Sequence, residues 1–138
     1  MEKDRVVFDT NVWLSSILKN RLDKFVSLIA DYEVSVYTCP ELLEEIHRNL
    51  YENAYFKKHV ANPEDHLEII KAICINRPIT RRFDRAADLN DNFLFDLAFA
   101  VKSYYLVTGE RGLLNMKQVN KIHIVSPSHF FSLFDMVW

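Results

Sequence analysis

The sequence holds two glycines and two cysteines in 138 residues, and no long apolar run. Each shortage excludes something. A dinucleotide fingerprint needs three glycines, and a P-loop needs two at a wider spacing than Gly109 and Gly112. Phosphate is therefore not cradled in a glycine-rich loop. Cys39 and Cys74 are too few for a disulfide framework or a Cys-based zinc site, as expected of a reduced chain. No stretch approaches the ~18 apolar residues of a membrane span. The charged start, Met1-Glu2-Lys3-Asp4-Arg5, does not read as a secretory signal. These features predict one cytoplasmic domain over residues 1–138, without membrane association. Charge of one sign is missing too. Seventeen basic residues face nineteen acidic ones, a formal net charge of −2. A typical DNA-binding module is strongly basic. The balance changes sign over the rest of the surface if four carboxylates are gathered in one site. Basic residues cluster at Arg77, Arg81, Arg82 and Arg85, and at Lys57 and Lys58; the plain reading of such runs is a solvated face.

What is present is a soluble globular balance, 49% hydrophobic and 26% charged. Arg5-Val-Val-Phe8 is a short β-branched run, read as a buried strand ending at Asp9. A helix follows, capped by Thr10 or Asn11, with Leu14, Ile17 and Leu18 at helical spacing. Leu22, Phe25, Val26 and Ile29 mark a second helix. Glu33 to Tyr37 alternates like a strand. Pro40 opens a helix carrying Leu42, Leu43, Ile46 and Leu50. Tyr55 to Val60 and Glu64 to Ile75 read as two more helices, broken at Asn62-Pro63. A weak strand is expected around Pro78 to Thr80. Leu94, Leu97, Ala98 and Val101 mark a helix, and Tyr104 to Val107 a strand that leaves through the turn glycine Gly109. Lys121 to Val125 is the last strand and Phe130 to Met136 the last helix. Such alternation predicts an α/β fold, with a parallel sheet covered on both faces. The aromatic tail, Phe130, Phe131, Phe134 and Trp138, has the spacing of a helix packed on the core.

In open parallel sheets ligands bind outside the carboxyl ends of the strands. Asp9 follows the first strand, and Glu110 follows Thr108-Gly109 at the end of a later one. On the helix after Pro40, Glu45 falls on the flank of the apolar face, while Glu41 and Glu44 point nearly opposite. Asp91 stands one turn before Leu94, near its helix's apolar stripe, and Asp96 points away from that stripe. Each acid has a plain explanation alone: a cap for Asp9 and Asp91, a surface position for Glu45, a turn for Glu110. Jointly, four carboxylates at one edge repel one another unless a cation sits between them. A hard, oxygen-seeking ion such as Mg²⁺ or Mn²⁺ meets that need. The five histidines are scattered without an H-x-x-x-H pair.

Four segments stand in order: Val6-Val-Phe-Asp-Thr-Asn-Val12, Pro40-Glu-Leu-Leu-Glu-Glu-Ile46, Asp88-Leu-Asn-Asp91 leading into Leu97-Ala98, and Leu106-Val-Thr-Gly-Glu-Arg-Gly-Leu-Leu114. Together they resemble the PIN-domain nucleases, above all the toxin components of toxin–antitoxin pairs, over nearly the whole chain. The resemblance implies a five-stranded parallel sheet flanked by helices. It also implies a Mg²⁺- or Mn²⁺-dependent ribonuclease acting on single-stranded RNA. Asp9, Glu45 and Asp91 match the family's three invariant acids. Glu110 stands where the family usually has aspartate. Asn11 matches the polar residue beside the first acid and Thr108 the threonine that hydrogen-bonds within the site, with Thr10 beside them. Arg111 and Arg82 are candidates for contact with backbone phosphates. A homodimer and a cognate antitoxin are implied as partners. Glu110 is one methylene longer than aspartate, and Gly112 replaces what is often a second acid. Mg²⁺ demands near-ideal octahedral geometry, so both departures point toward a weakened site or a preference for Mn²⁺.

Two rival readings remain at this stage. One keeps the fold and makes the chain a weakened module that mainly binds RNA or a protein. The other is an aspartyl-phosphate domain. Its Asp-x-Asp pattern fails here at Asn11.

Overall fold

The computed structural model describes residues 5–80, 83 and 92–138. The chain begins with β1 (Arg5–Phe8), α1 (Thr10–Leu18), α2 (Leu22–Tyr32), β2 (Ser35–Thr38) and α3 (Pro40–Glu52). It continues through α4 (Ala54–His59), α5 (Pro63–Ile73), β3 (Ile75–Asn76), α6 (Asn92–Ala100) and β4 (Tyr105–Val107). It closes with α7 (Arg111–Leu114), β5 (Gln118–Val119), β6 (Ile122–Val125) and α8 (Pro127–Ser132). Proline opens α3, α5 and α8 in the first turn, where its missing N–H has no intrahelical partner to lose.

Among the described residues six strands lie in the order β3-β2-β1-β4-β6-β5. All pairs are parallel except β5 with β6. The expected parallel sheet is thus present, with a two-residue antiparallel strand added at one edge. From β1 the chain moves outward through β2 to β3, then returns to the other side of β1 as β4. Helices α1, α2, α3 and α5 pack together on one face, and the right-handed crossover that parallel strands favour puts α6 and α7 on the other. The crevice between β1 and β4 is the point where strand order reverses.

Side chains alternate along each strand. Phe8 faces the first layer and meets Trp13, Phe25, Phe130 and Phe131, with ring centroids 5.6, 4.8, 5.4 and 6.2 Å away. Helix α8 therefore returns to the α1 face, and the aromatic tail packs on the core as its spacing predicts. All five of these rings are fully buried. Burial of each is worth about 1.5–3 kcal/mol against exposure. On the other face α6 lies against β1 and β4.

Three expectations need correction. The weak strand is Ile75–Asn76, not Pro78 to Thr80, and α5 ends at Ile73. Pairing with β2 decides this: Tyr37 registers with Ile75, and the Arg77 N–H donates to the Thr38 carbonyl at 2.8 Å, an arrangement Pro78 cannot continue. The last helix spans Pro127–Ser132 rather than Phe130 to Met136, because Ser126 caps it by accepting from the His129 N–H. Asp96 does not point away from the core. Residues 92 to 98 are all buried, so α6 has no solvent face for it. Its Oδ1 accepts the Phe83 N–H at 2.9 Å, beside a stack of Phe83 on Phe95.

Glycine scarcity has a backbone counterpart. Among the described residues, seven other than glycine adopt left-handed φ: Asn20, Glu33, Asn62, Lys102, Lys117, Asn120 and Asp135. Asn and Asp tolerate that region; Glu33, Lys102 and Lys117 carry its full steric cost. Neither glycine occupies it.

Candidate active site

The carboxyl ends of β1 and β4 are tied together beyond their last ladder residues. The Asp9 N–H donates to the Val107 carbonyl, and the Thr108 N–H to the Val125 carbonyl, each at 3.0 Å. Asp9 and Thr108 thus continue the sheet and project to the same side. Asp9 is 3% exposed and Thr108 fully buried.

Asp9 caps α1, in place of the expected Thr10 or Asn11. Its Oδ1 accepts the Val12 N–H at 3.1 Å, and its carbonyl accepts the Val12 and Trp13 N–H groups. The plain reading of Asp9 as a cap is therefore correct, and it does not exhaust the residue. The Thr108 hydroxyl donates to Oδ2 and accepts the Glu110 N–H at 3.0 Å. One hydroxyl fixes both the first acid and the backbone that carries the second. Burial pushes the Asp9 carboxyl above its ordinary value. Hydrogen bonds from Thr108, Val12 and Asn11 pull it partly back, and the nearby Glu110 charge pushes it up again. Among the described residues no cation offsets either acid.

Thr10 is the buried first residue of α1, and Asn11 after it is exposed. Glu45 lies on the second turn of α3, half-buried beside the inward Leu42, Ile46 and Leu50. Since α3 starts where β2 ends and packs on α1, Glu45 sits at the same sheet edge. Arg111 opens α7 next to Glu110 and is exposed. Gly112 lies inside α7 and offers no acid. Asp91 and Arg82 lie outside the described residues. Among the described residues, no three His, Cys, Asp or Glu side chains form a metal-holding group.

The structure unites Asp9, Thr108 and Glu110 and brings Thr10, Asn11 and Arg111 alongside. Gly109 is not the turn glycine expected: its φ is not positive, and a Cβ there meets nothing within 4 Å. Thiol chemistry has no place here. Cys39 is fully buried, and burial pushes the Cys74 thiol up to about 12.

A buried carboxylate at the switch point of a doubly covered parallel sheet, with a second acid beside it, defines an α/β protein built to gather negative oxygens at one edge. The chain belongs to the PIN domain family, whose model matches residues 5–112. PIN domains are typically nucleases, often the toxins of toxin–antitoxin systems, and typically use divalent metals. No curated protein matches the chain closely enough to count as a relative. No helix among the described residues is long and apolar enough to cross a membrane.

Proposed function

We propose that the chain is a divalent-metal-dependent endoribonuclease that hydrolyses single-stranded RNA, and the toxin of a toxin–antitoxin pair. The observation that carries this reading is Asp9: a buried carboxylate held by a helix cap and by Thr108, with Glu110 close enough to raise its proton affinity. Burial and the neighbouring Glu110 charge both disfavour the Asp9 anion, and a cation nearby would offset both. Hard carboxylate oxygens suit Mg²⁺ or Mn²⁺. Asp9, Glu45 and Asp91 are the residues assigned to hold it, with Glu110 helping directly or through water. An ion held there lowers the pKa of water and offsets charge on phosphate oxygens.

The chain's own residues do the rest. Thr108 orients Asp9 and the start of the Glu110 segment, so the acids keep one geometry without rearranging on substrate arrival. Arg111 is exposed beside Glu110, where a backbone phosphate of the RNA approaches. Cleavage leaves a 5′ phosphate and a 3′ hydroxyl. A homodimer and a protein antitoxin complete the proposal as partners.

The test is cleavage of end-labelled single-stranded RNA with Mn²⁺ and with EDTA, for the wild-type chain and Asp9→Asn. Cleavage with Mn²⁺ alone, lost in Asp9→Asn, is the expected outcome. Equal cleavage by Asp9→Asn overturns the mechanism. Calorimetric titration with Mn²⁺ separates a nuclease from a module that only binds: no heat at millimolar metal favours the latter.

A further inference from the structure

A cleft of about 240 Å³ opens directly beside this edge. Its walls come from three segments that leave the sheet at its carboxyl end, the first turns of α1 after β1, Gly109 after β4 and the start of α8 after β6, and from Trp138 near the end of the chain. It therefore spans the switch point at which the strand order reverses. Asn11 and Gly109, two of its residues, are sequence neighbours of Thr10 and Thr108.

The lining carries no ionisable side chain. Asn11, Ser15 and Ser128 supply an amide and two hydroxyls, able to donate and accept. Val12, Pro127 and Trp138 supply apolar surface. Such a lining has no carboxylate to hold a metal and no lysine or arginine to pair with a phosphate. It suits a flat, neutral group with hydrogen-bonding edges. The volume lies below the ~300–1,000 Å³ of pockets for drug-sized ligands, so it holds one ring system rather than a length of chain.

The walls are fixed in advance. Trp138 stacks on Phe131 at 5.0 Å and 21°, meets Phe25 edge-on at 6.1 Å, and follows Val137, whose carbonyl accepts from Lys24 Nζ. Gly109 keeps the remaining wall low. Neither its φ nor its neighbours require a glycine, since a Cβ would stand in open space. What the missing side chain preserves is the opening itself.

We propose that this cleft seats one nucleobase of the RNA, the base flanking the scissile phosphate, and so sets the base preference of cleavage. Trp138 offers an aromatic surface, and Asn11, Ser15 and Ser128 read the base's polar edge. The inference rests on the ribonuclease reading for its substrate, and it can fail separately from it.

Trp13 and Trp138 are the chain's two tryptophans, and Trp13 is fully buried, so Trp138 is a built-in reporter. Metal-free protein is titrated in EDTA with AMP, CMP, GMP, UMP and ribose 5-phosphate while tryptophan fluorescence is followed. At least one nucleotide is expected to quench saturably at millimolar concentration or below, with ribose 5-phosphate at least tenfold weaker. Trp138→Phe should remove the signal. Gly109→Val, whose Cβ would meet nothing within 4 Å, should weaken binding about tenfold, with circular dichroism and the melting temperature checking that the fold is kept. The cleft proposal is overturned if no nucleotide quenches, if ribose 5-phosphate matches the nucleotides, or if Gly109→Val binds like wild type. Any of these together with intact Mn²⁺-dependent cleavage refutes the cleft alone. Base binding in a protein that cleaves no RNA refutes the nuclease reading alone.

Discussion

Of the buried threonines at the carboxyl edge, Thr38, closing β2, and Thr108, following β4, are opposites in what their hydroxyls do. Thr108 spends its proton on Asp9 and a lone pair on the Glu110 N–H. Thr38 is 1% exposed, and its Oγ1 has no partner among the described residues. The same residue type, equally hidden, is a positioning device at one strand end and an uncompensated polar atom at another. The difference lies in the neighbour. Thr108 continues the ladder beside an acid, whereas Thr38 registers with the apolar Phe8 by extension of the β1–β2 pairing. A buried hydroxyl is useful only where the adjacent strand supplies something to hold.

The largest expected effect comes from removing the useful hydroxyl. Thr108→Val keeps the shape and loses both hydrogen bonds, so Mn²⁺ affinity should fall about 10–100-fold, with cleavage falling alongside. Thr108→Ser should restore most of both. Calorimetry and single-turnover cleavage measure this. An unaffected Thr108→Val would erase the contrast between the threonines.

The second effect concerns what Thr108 holds. The folded Asp9 carboxyl is raised above its unfolded value, so its contribution to stability is complete below the unfolded pKa and is lost as pH rises through the folded one. At neutral pH the metal-free protein therefore carries a cost that Asp9→Asn removes. In EDTA, Asp9→Asn should melt above wild type at pH 7, with the gap closing toward pH 4. Mn²⁺ should raise the melting temperature of wild type only. A gap that widens on acidification would contradict the assignment of burial as the main cause.

The smallest effect belongs to the idle hydroxyl. Thr38→Val removes a buried unsatisfied group with little change of shape and should stabilise the fold by about 1 kcal/mol. The denaturant midpoint should rise at constant slope, with cleavage unchanged. Lost cleavage would show that Thr38 has a task after all, and would narrow the comparison.

How far this arrangement could be read from sequence depends on the length of each signal. Strand β1 and Asp9 were legible because an apolar β-branched run ends abruptly in a polar residue. The paired acids were legible because strand ends in a parallel sheet share an edge. Strand β5, two residues long, carries no periodicity to read. Strand β3 was hidden because Ile69, Ile70 and Ile73 run on to Ile75, so a helical pattern masks the point where pairing with β2 takes over. Asp96 was misplaced because a one-sided stripe was assumed for a helix whose apolar residues run almost without break from Phe93 to Phe99. Such a helix is buried all round. The cleft was out of reach, since Asn11, Gly109, Ser128 and Trp138 meet only after the chain has folded.

The left-handed backbone at Glu33, Lys102 and Lys117 has a consequence for the protein's durability. At each position glycine would adopt the same conformation without the steric cost. Net of its own entropy cost, it should return about 0.5–1 kcal/mol per site. Contributions from well-separated sites add, so the triple variant should resist heat and proteolysis measurably better than the natural chain. None of the three belongs to the acid edge or to the cleft beside it. The protein's survival can therefore be lengthened at residues that touch neither the acids nor the cleft.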